Sequence, residues 1–562
     1  MMETGAFGVS GEQHGRKHPG KLRLLITLTI VFAATLTIYL VCAAPGVLYG
    51  DSAELQAVAL DGGVAHPTGY PTFVLLGRVF GSILGGEPAH RITVMSAVFG
   101  AASICAFITV LLKLGLPMWG AVSGALVYAM SFTFFWSSIR TEVYTVAIFM
   151  FFIGLWLSLH ALEHPGPKRV AGAGLFLGLV LTGHLAFAPA VMVILIALVV
   201  ARPAEGGSRT KYISVLAVTF ISGLLPYLYL FWADRAGYPM NYLQYTIEPA
   251  GNQYGLTAER FDDLWERIPW LIFGKESQPV IFLVHPRPMV WQVLRVLSIE
   301  FIYHFGPVAI PLFLLGIYQA LRKLMRRSWL IFGIIIASAV FGAGFGPGRM
   351  LQIFIIPSTI GVAMTVSFGI WYLVERLAGD PAVSDGPGGR RLTCRAYVLL
   401  AAVTCSIIFL PHSLRIFLED SRTFPGDFKM QVEGEPEIDT FVPRLDDFRE
   451  PRQYGERVLR QIPEGSLVVG KWKEIMTLYY LHYIEGERPD ISLEPYDVAH
   501  YIRLNRWQDK HDIVSRPIVF LRHPSELQVD VTEVDTFVVN GDEAIYILDR
   551  PFEPLPAPAN TR

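Results

Sequence analysis

The run "VAGAGLFLGLVLTGHLAFAPAVMVILIALVV", Val170–Val200, is 31 residues of nearly unbroken apolarity. It reads either as one tilted membrane helix or as two short ones broken near Gly183-His184. About 20 apolar residues cross a hydrocarbon core, so length alone permits both. The choice inverts the sidedness of everything that follows. Lys and Arg collect on the cytoplasmic side of membrane proteins, and that rule separates the two readings. With two helices, Lys113, Lys168-Arg169, Arg202/Arg209/Lys211, Arg322-Lys323/Arg326-Arg327 and Arg390-Arg391/Arg395 all fall on the side of the basic N-terminus, which carries Arg16, Lys17, Lys21 and Arg23.

Other runs of spanning length lie at 24–44, 92–112, 117–136, 143–162, 212–232, 298–320, 329–346, 351–373 and 396–411. The expected fold is therefore a polytopic α-helical membrane protein with about 11 transmembrane helices. Bulk composition agrees: the chain has 562 residues, 52% hydrophobic and 17% charged, with a mean hydropathy of +0.43, too apolar for an ordinary soluble enzyme. A formal net charge of -2 gives no basic excess for nucleic acid. Cys42, Cys105, Cys394 and Cys405 lie in or beside apolar runs, with no disulfide framework or zinc-ligand spacing. Val41-Cys42-Ala43 has the small-residue look of a cleavage site, but the run before it is longer than a signal h-region and reads as a retained first span.

Three regions follow. Residues 1–23 form a cytoplasmic tail and 24–411 the membrane domain, in which "DPAVSDGPGGRR" (Asp380–Arg391) reads as a cytoplasmic linker. Residues 412–562 read as an extracytoplasmic α/β domain. Its signals are a helical "RQYGERVLRQI" (Arg452–Ile462) and strand-like "SLVVGKW" (Ser466–Trp472), "PIVFLR" (Pro517–Arg522), "TFVVNG" (Thr536–Gly541) and "AIYILD" (Ala544–Asp549). The last two form a hairpin pattern around Asn540-Gly541-Asp542.

The sidedness map sends the unusual polar residues to one outward surface. In "GDSAEL", Asp51 and Glu54 are three apart, so a helix would put both carboxylates on one face, as a general base beside an orienting acid requires. The plain alternative is a solvated first-turn acid and its partner. "AHPTGYP" (Ala65–Pro71) is a turn stiffened by two prolines and a glycine, presenting His66 and Tyr70. It is either a substrate platform or a loop that re-enters the bilayer ahead of the amphipathic Phe73–Leu84, with Arg78 snorkelling. "SSIRTEVYT" places Arg140 and Glu142 among aromatic residues, where they hold a sugar hydroxyl or simply sit in an interfacial belt. His184 and Arg349 occupy tight outward turns; a guanidinium held by Gly and Pro suits a phosphate, whereas a lone His is more often structural. Arg78, Arg91 and Arg287 are further outward basic candidates.

No Walker loop, dinucleotide fingerprint or HExxH is present, so nucleotide hydrolysis, redox cofactors and zinc proteolysis lose support. "GDSAEL", "VAHPTGYP", "RTEVYT" and "LTGHLA" resemble the signature of a family of polytopic proteins that includes the eukaryotic transmembrane protein O-mannosyltransferases of plexin-type ectodomains, placed in the GT-C glycosyltransferase superfamily. "IPEGSLVVGKWKEIMTLYYLHYIEGERPDISL" (Ile462–Leu493) resembles the segment after the membrane part in bacterial relatives. The resemblance implies transfer of a sugar, such as mannose, from a polyprenyl-phosphate donor to a hydroxyl of a protein or glycan acceptor at the non-cytoplasmic face, in a bacterium that of the inner membrane. Residue by residue it maps Asp51 to the family's base, Glu54 to its partner acid, His66, Pro67, Gly69, Tyr70 and Pro71 to the turn, and Glu142 to the Glu of the EVY motif. Thr68 stands where Pro is frequent and Ala53 where Gly is; neither change removes a polar group.

Residue chemistry and resemblance meet in one expected mechanism: Asp51 deprotonates the acceptor hydroxyl, inverting the anomeric carbon, while an outward Arg, Arg349 first, steadies the departing lipid phosphate. A lipid phosphate is an adequate leaving group, so no metal is required; Mg²⁺ or Mn²⁺ on Asp51 and Glu54 is the alternative. Two rivals remain. A transporter would place its polar residues nearer the midplane, on broken helices, and a non-catalytic envelope-assembly protein would have no use for the acids.

Overall fold

The computed structural model describes residues 20–201, 208–243, 263–275, 294, 296, 298–344, 351–378, 395–408, 444–496, 516–522, 535–540 and 543–548. Among these, α1 (Lys21–Cys42), α4 (Pro88–Lys113), α7 (Tyr144–Glu163), the continuous Arg209–Arg235 and Ile356–Leu377 are long and apolar enough to cross a membrane. Helices α5 (Met118–Ala129) and α6 (Phe132–Ile139) make a sixth if counted as one bent span. Shorter apolar helices run over Pro71–Ile83, Leu185–Val200, Ser328–Gly344 and Arg395–Ile408. The chain is a multi-pass helical membrane protein with a small C-terminal sheet. On α1, the large apolar side chains Leu22, Leu25, Ile26 and Ile30 are exposed, which suits lipid rather than water.

The Val170–Val200 run is two helices. α8 (Pro167–Gly183) stops at His184, a 3-10 turn follows, and α9 begins at Ala188. His184 is extended at φ -165°, and its Nδ1 accepts the Ala186 N–H at 3.0 Å, taking up a donor that the break would orphan. Pro189 then serves as an early helical residue of α9. α8 meets α10 (Arg209–Gly223) at a backbone approach that only small residues allow: a Cβ on Gly178 would lie 2.2 Å from Phe220 O.

Two expected spans are interrupted. The run 117–136 bends by 69° between α5 and α6, because Ser131 leaves helical geometry and its carbonyl accepts the Phe135 N–H in the first turn of α6. The run 298–320 divides at Gly306-Pro307 into a π-turn, Glu300–His304, and a helix over Ala309–Leu324. Between the spans, α2 (Gly50–Asp61) and α3 (Pro71–Ile83) are short helices.

Charged residues meet where two of the long helices end. Lys113 at the end of α4 pairs with Glu163 at the end of α7, and Arg327 reaches the same carboxylate at 3.1 Å. The other ends of α4 and α7 adjoin α2 and the 140–143 turn.

Helices α11 (Leu228–Arg235), α12 (Leu264–Ile272), α13 (Ala309–Leu324), α14 (Ser328–Gly344), α15 (Ile356–Ala378) and α16 (Arg395–Ile408) follow α10, and after the membrane part come α17 (Glu450–Gln461), β1 (Leu467–Lys471), α18 (Trp472–Tyr479), β2 (Ser492–Tyr496), β3 (Ile518–Phe520), β4 (Asp535–Asn540) and β5 (Glu543–Leu548). The sheet order is β2-β1-β3-β5-β4, with β1 parallel to β2 and β3, and β5 antiparallel to β3 and β4. The expected hairpin is present as β4–β5; β2 and α18 were not anticipated. The module sits on the helix α2 end of the bundle. Thr477 Oγ1 donates to Leu48 O at 2.9 Å, Leu445 N to Cys42 O at 2.9 Å, and Arg452 pairs with Glu87 at 3.0 Å. Glu87 also caps α4 by accepting the His90 N–H at 2.6 Å.

Candidate functional site

Gly50, at φ +54°, turns the chain into α2, whose first turn carries Asp51 and whose second carries Glu54. Their three-residue spacing puts the two carboxylates on one face, as expected. Their exposures differ sharply: the Asp51 side chain is 39% exposed and that of Glu54 only 2%. Asp51 is the acid a substrate can reach. Glu54 is occupied with His66, whose backbone N–H donates to Oε1 at 2.7 Å and whose Nδ1 hydrogen-bonds to Oε2. Burial pushes the Glu54 carboxyl upward, and the imidazole pulls it part of the way back. Held in this way, His66 directs Nε2 toward Asp51 Oδ2, 3.9 Å away.

The loop that carries His66 is pinned by backbone. Val64 N donates to Met240 O and Tyr242 N to Val64 O, at 2.9 and 2.8 Å. Gly63 lies at φ +130°, where a Cβ would stand 1.9 Å from Met240 O, so only glycine fits. Tyr70 donates its hydroxyl to Pro67 O at 2.6 Å, closing the turn. Its ring meets His66 edge-on at 5.0 Å and stacks on His184 at 5.4 Å. Burial lowers His184 to about 3, so its imidazole is neutral and carries the proton on Nε2, since Nδ1 accepts from Ala186. Tyr144 covers the other side at 5.1 Å.

The 140–143 turn supplies the third element. Arg140 donates from Nε and Nη2 to Ser52 Oγ at 3.1 and 2.9 Å, pairs with Glu142 at 3.0 Å and lies over the Trp136 ring at 5.7 Å. Ser52 completes the bridge by donating to Thr141 O at 2.9 Å. Desolvation raises Glu142 to about 7, with Arg140 opposing and Asp51 reinforcing the rise. Asp51, Glu54, His66, Tyr70, Arg140, Glu142 and His184 thus form one connected constellation. Arg349 and Arg287 lie outside the described residues. Arg78 and Arg91 are turned to local carbonyls, Arg78 to Asp61 O and Arg91 to Gly81 O and Gly86 O.

One member was missed. Trp472, the first residue of α18, donates its indole N–H to Asp51 Oδ1 at 2.7 Å and meets Tyr242 edge-on at 5.6 Å. It lies 421 residues from Asp51 along the chain, and no local pattern joins the two.

Ligand atoms of Asp51, Glu54 and His66 lie within 4.8 Å of one another, close enough to share a cation. Both Glu54 oxygens are already engaged by His66, so the donors suited to an ion are Asp51 Oδ2 and His66 Nε2, with Glu54 orienting the imidazole from behind.

Residues 51–205 match the family described as "Protein O-mannosyl-transferase TMEM260 N-terminal domain". The chain is similar to Protein O-mannosyl-transferase TMEM260 of Mus musculus, 30% identical over 219 residues, covering 38% of this chain and 30% of that protein. It is also similar to Protein O-mannosyl-transferase tmem260 of Dictyostelium discoideum, 24% identical over 516 residues, covering 84% of this chain and 57% of that one. The chain thus spans less than two thirds of either relative. A crystal structure of the Archaeoglobus fulgidus oligosaccharyltransferase, in complex with Zn and sulfate, aligns at 14% identity with a TM-score of 0.42 over 88% of this chain and 67% of that one. The resemblance read from the motifs is borne out: the matched residues begin at Asp51 and contain "VAHPTGYP", "RTEVYT" and "LTGHLA".

Proposed function

We propose that this chain is a GT-C-type glycosyltransferase that moves mannose from a polyprenyl-phosphate donor to a protein hydroxyl, with inversion, at the non-cytoplasmic face. The match to protein O-mannosyltransferases supports the reaction class. The observation that carries the mechanism is the contrast between a reachable Asp51 and the buried, engaged Glu54. Asp51 accepts the acceptor's hydroxyl proton as that oxygen bonds to the anomeric carbon. The bond from carbon to phosphate oxygen breaks, and the polyprenyl phosphate leaves with the electron pair. Arg140, braced on Ser52 and Trp136, would supply the positive charge that steadies the developing phosphate. His66, Tyr70, Glu142 and His184 frame the sugar.

The same reading sets about 11 spans, with the shorter apolar helices crossing as pairs or at a tilt, and puts the α2 end and the C-terminal module outside. It accounts for acids at the ends of spans rather than at mid-membrane, where a transporter would need them.

The decisive experiment is mannose transfer from radiolabelled polyprenyl-phosphate mannose by purified wild type and Asp51→Asn, with acceptor extract. A positioned base contributes about 10²–10⁴-fold, so the variant should lose that much activity while melting like wild type. Equal activity in the two proteins would remove Asp51 as the base.

A second reading is favoured by the donor atoms grouped at Asp51, Glu54 and His66. In it, Asp51 and His66 would hold Mg²⁺ or Mn²⁺, which would supply positive charge for the leaving phosphate.

A further inference from the structure

Helix α18 lies along α2, the helix of both acids. Lys473 Nζ sits 4.8 Å from the Tyr49 ring centre, Thr477 bonds to Leu48 O, and a Cβ on Gly50 would approach Lys473 Cα at 3.9 Å. At the head of this contact the Trp472 indole reaches Asp51 Oδ1 at 2.7 Å. An indole N–H donates only; it cannot take a proton from the carboxylate it binds.

The consequence for Asp51 is geometric. Left to itself, a part-exposed carboxylate rotates among several orientations. With Oδ1 tied to Trp472, the group is fixed and Oδ2 becomes the oxygen that faces His66 Nε2. Tyr242 braces the indole edge-on at 5.6 Å and stands 6.4 Å from His66, so the holder and the held group share one aromatic support.

We propose that Trp472 of the C-terminal module is a positioning residue for Asp51, so that the soluble module completes the reaction site rather than merely flanking it. The proposal rests on Asp51 being the base. It gives the module a specific role, because docking α18 onto α2 delivers the donor that orients the proton-accepting oxygen.

The test replaces Trp472 in the full-length protein with 3-benzothienylalanine, which keeps the bicycle and exchanges the N–H for sulfur, and separately with Phe. Losing a hydrogen bond to a charged group that is needed only in the transition state should lower kcat about tenfold or more. Donor and acceptor KM should stay unchanged, and the benzothienyl protein should melt like wild type. An isostere with wild-type kcat, or a loss confined to KM, overturns the proposal.

A second measurement needs no activity. With ¹⁵N-indole-labelled tryptophan, the Trp472 resonance, assigned by its disappearance in Trp472→Phe, should move in Asp51→Asn and stay in place in Asp61→Asn. An unmoved resonance removes the contact. A wild type without transferase activity but with the moving resonance would sink the functional reading while leaving the contact standing.

Discussion

Glu54 holds His66 at two points, the backbone N–H and the imidazole Nδ1, and in doing so turns Nε2 toward Asp51. A buried carboxylate that binds both ends of one residue acts as a clamp on the loop.

Removing the clamp should cost stability as well as activity. In Glu54→Ala the His66 N–H loses its acceptor in a part-buried setting, which costs on the order of 1 kcal/mol. The expected outcome is a lower melting temperature and weaker donor binding, read as a raised donor KM. Glu54→Gln keeps an oxygen for the backbone N–H and should recover most of the melting temperature but not the activity. Equal melting of the alanine variant and wild type would refute the clamp.

Glu142 gives a pH signature. Its folded value is raised to about 7 from an ordinary 4.5. Between these values the folded state holds a proton that the unfolded state has lost, so this group's contribution to stability falls as pH rises through that window. On the proposed reading, donor binding follows the same proton: above about 7 an ionised Glu142 offsets the Arg140 charge more than the neutral acid does below it. The donor KM should therefore rise from pH 6 to pH 8, and Glu142→Gln should flatten that rise. A wild-type KM that is constant over this range would contradict the assignment of Arg140 to the phosphate.

Chelation separates the two mechanistic readings. With Asp51 as base, wild-type transfer should be unchanged after EDTA treatment and dialysis. Loss of transfer restored by Mn²⁺ or Mg²⁺, with His66→Ala needing more metal than wild type, would instead make Asp51 and His66 cation ligands.

Much of this protein is written locally. Apolar runs near the thickness of a bilayer mark the spans, because lipid leaves no other option for the backbone. The bias of Lys and Arg divided Val170–Val200 into two helices, and His184 is where the helix stops. The spacing of Asp51 and Glu54 gave their shared face, since helical geometry acts over three or four residues.

Other features are not local. The bend at Ser131 interrupts a run that is apolar throughout, and hydropathy does not register a change of direction. Nothing in "GDSAEL" distinguishes the exposed Asp51 from the buried Glu54. That difference comes from packing: residues 52–59 of α2 are all buried, and Asp51 at the head of the helix is not.

By itself, then, the sequence determined the membrane class, most of the helices, the polar end of the bundle and the residue types of the candidate site, all of them short-range consequences of hydropathy, charge and spacing. Only the tertiary structure decided which acid is reachable, that Arg140 is braced on Ser52, and that Trp472 donates to Asp51. The Arg140 contact joins residues 88 apart, and the Trp472 bond depends on packing α18 against α2, segments more than four hundred residues apart, which no local pattern in either segment encodes.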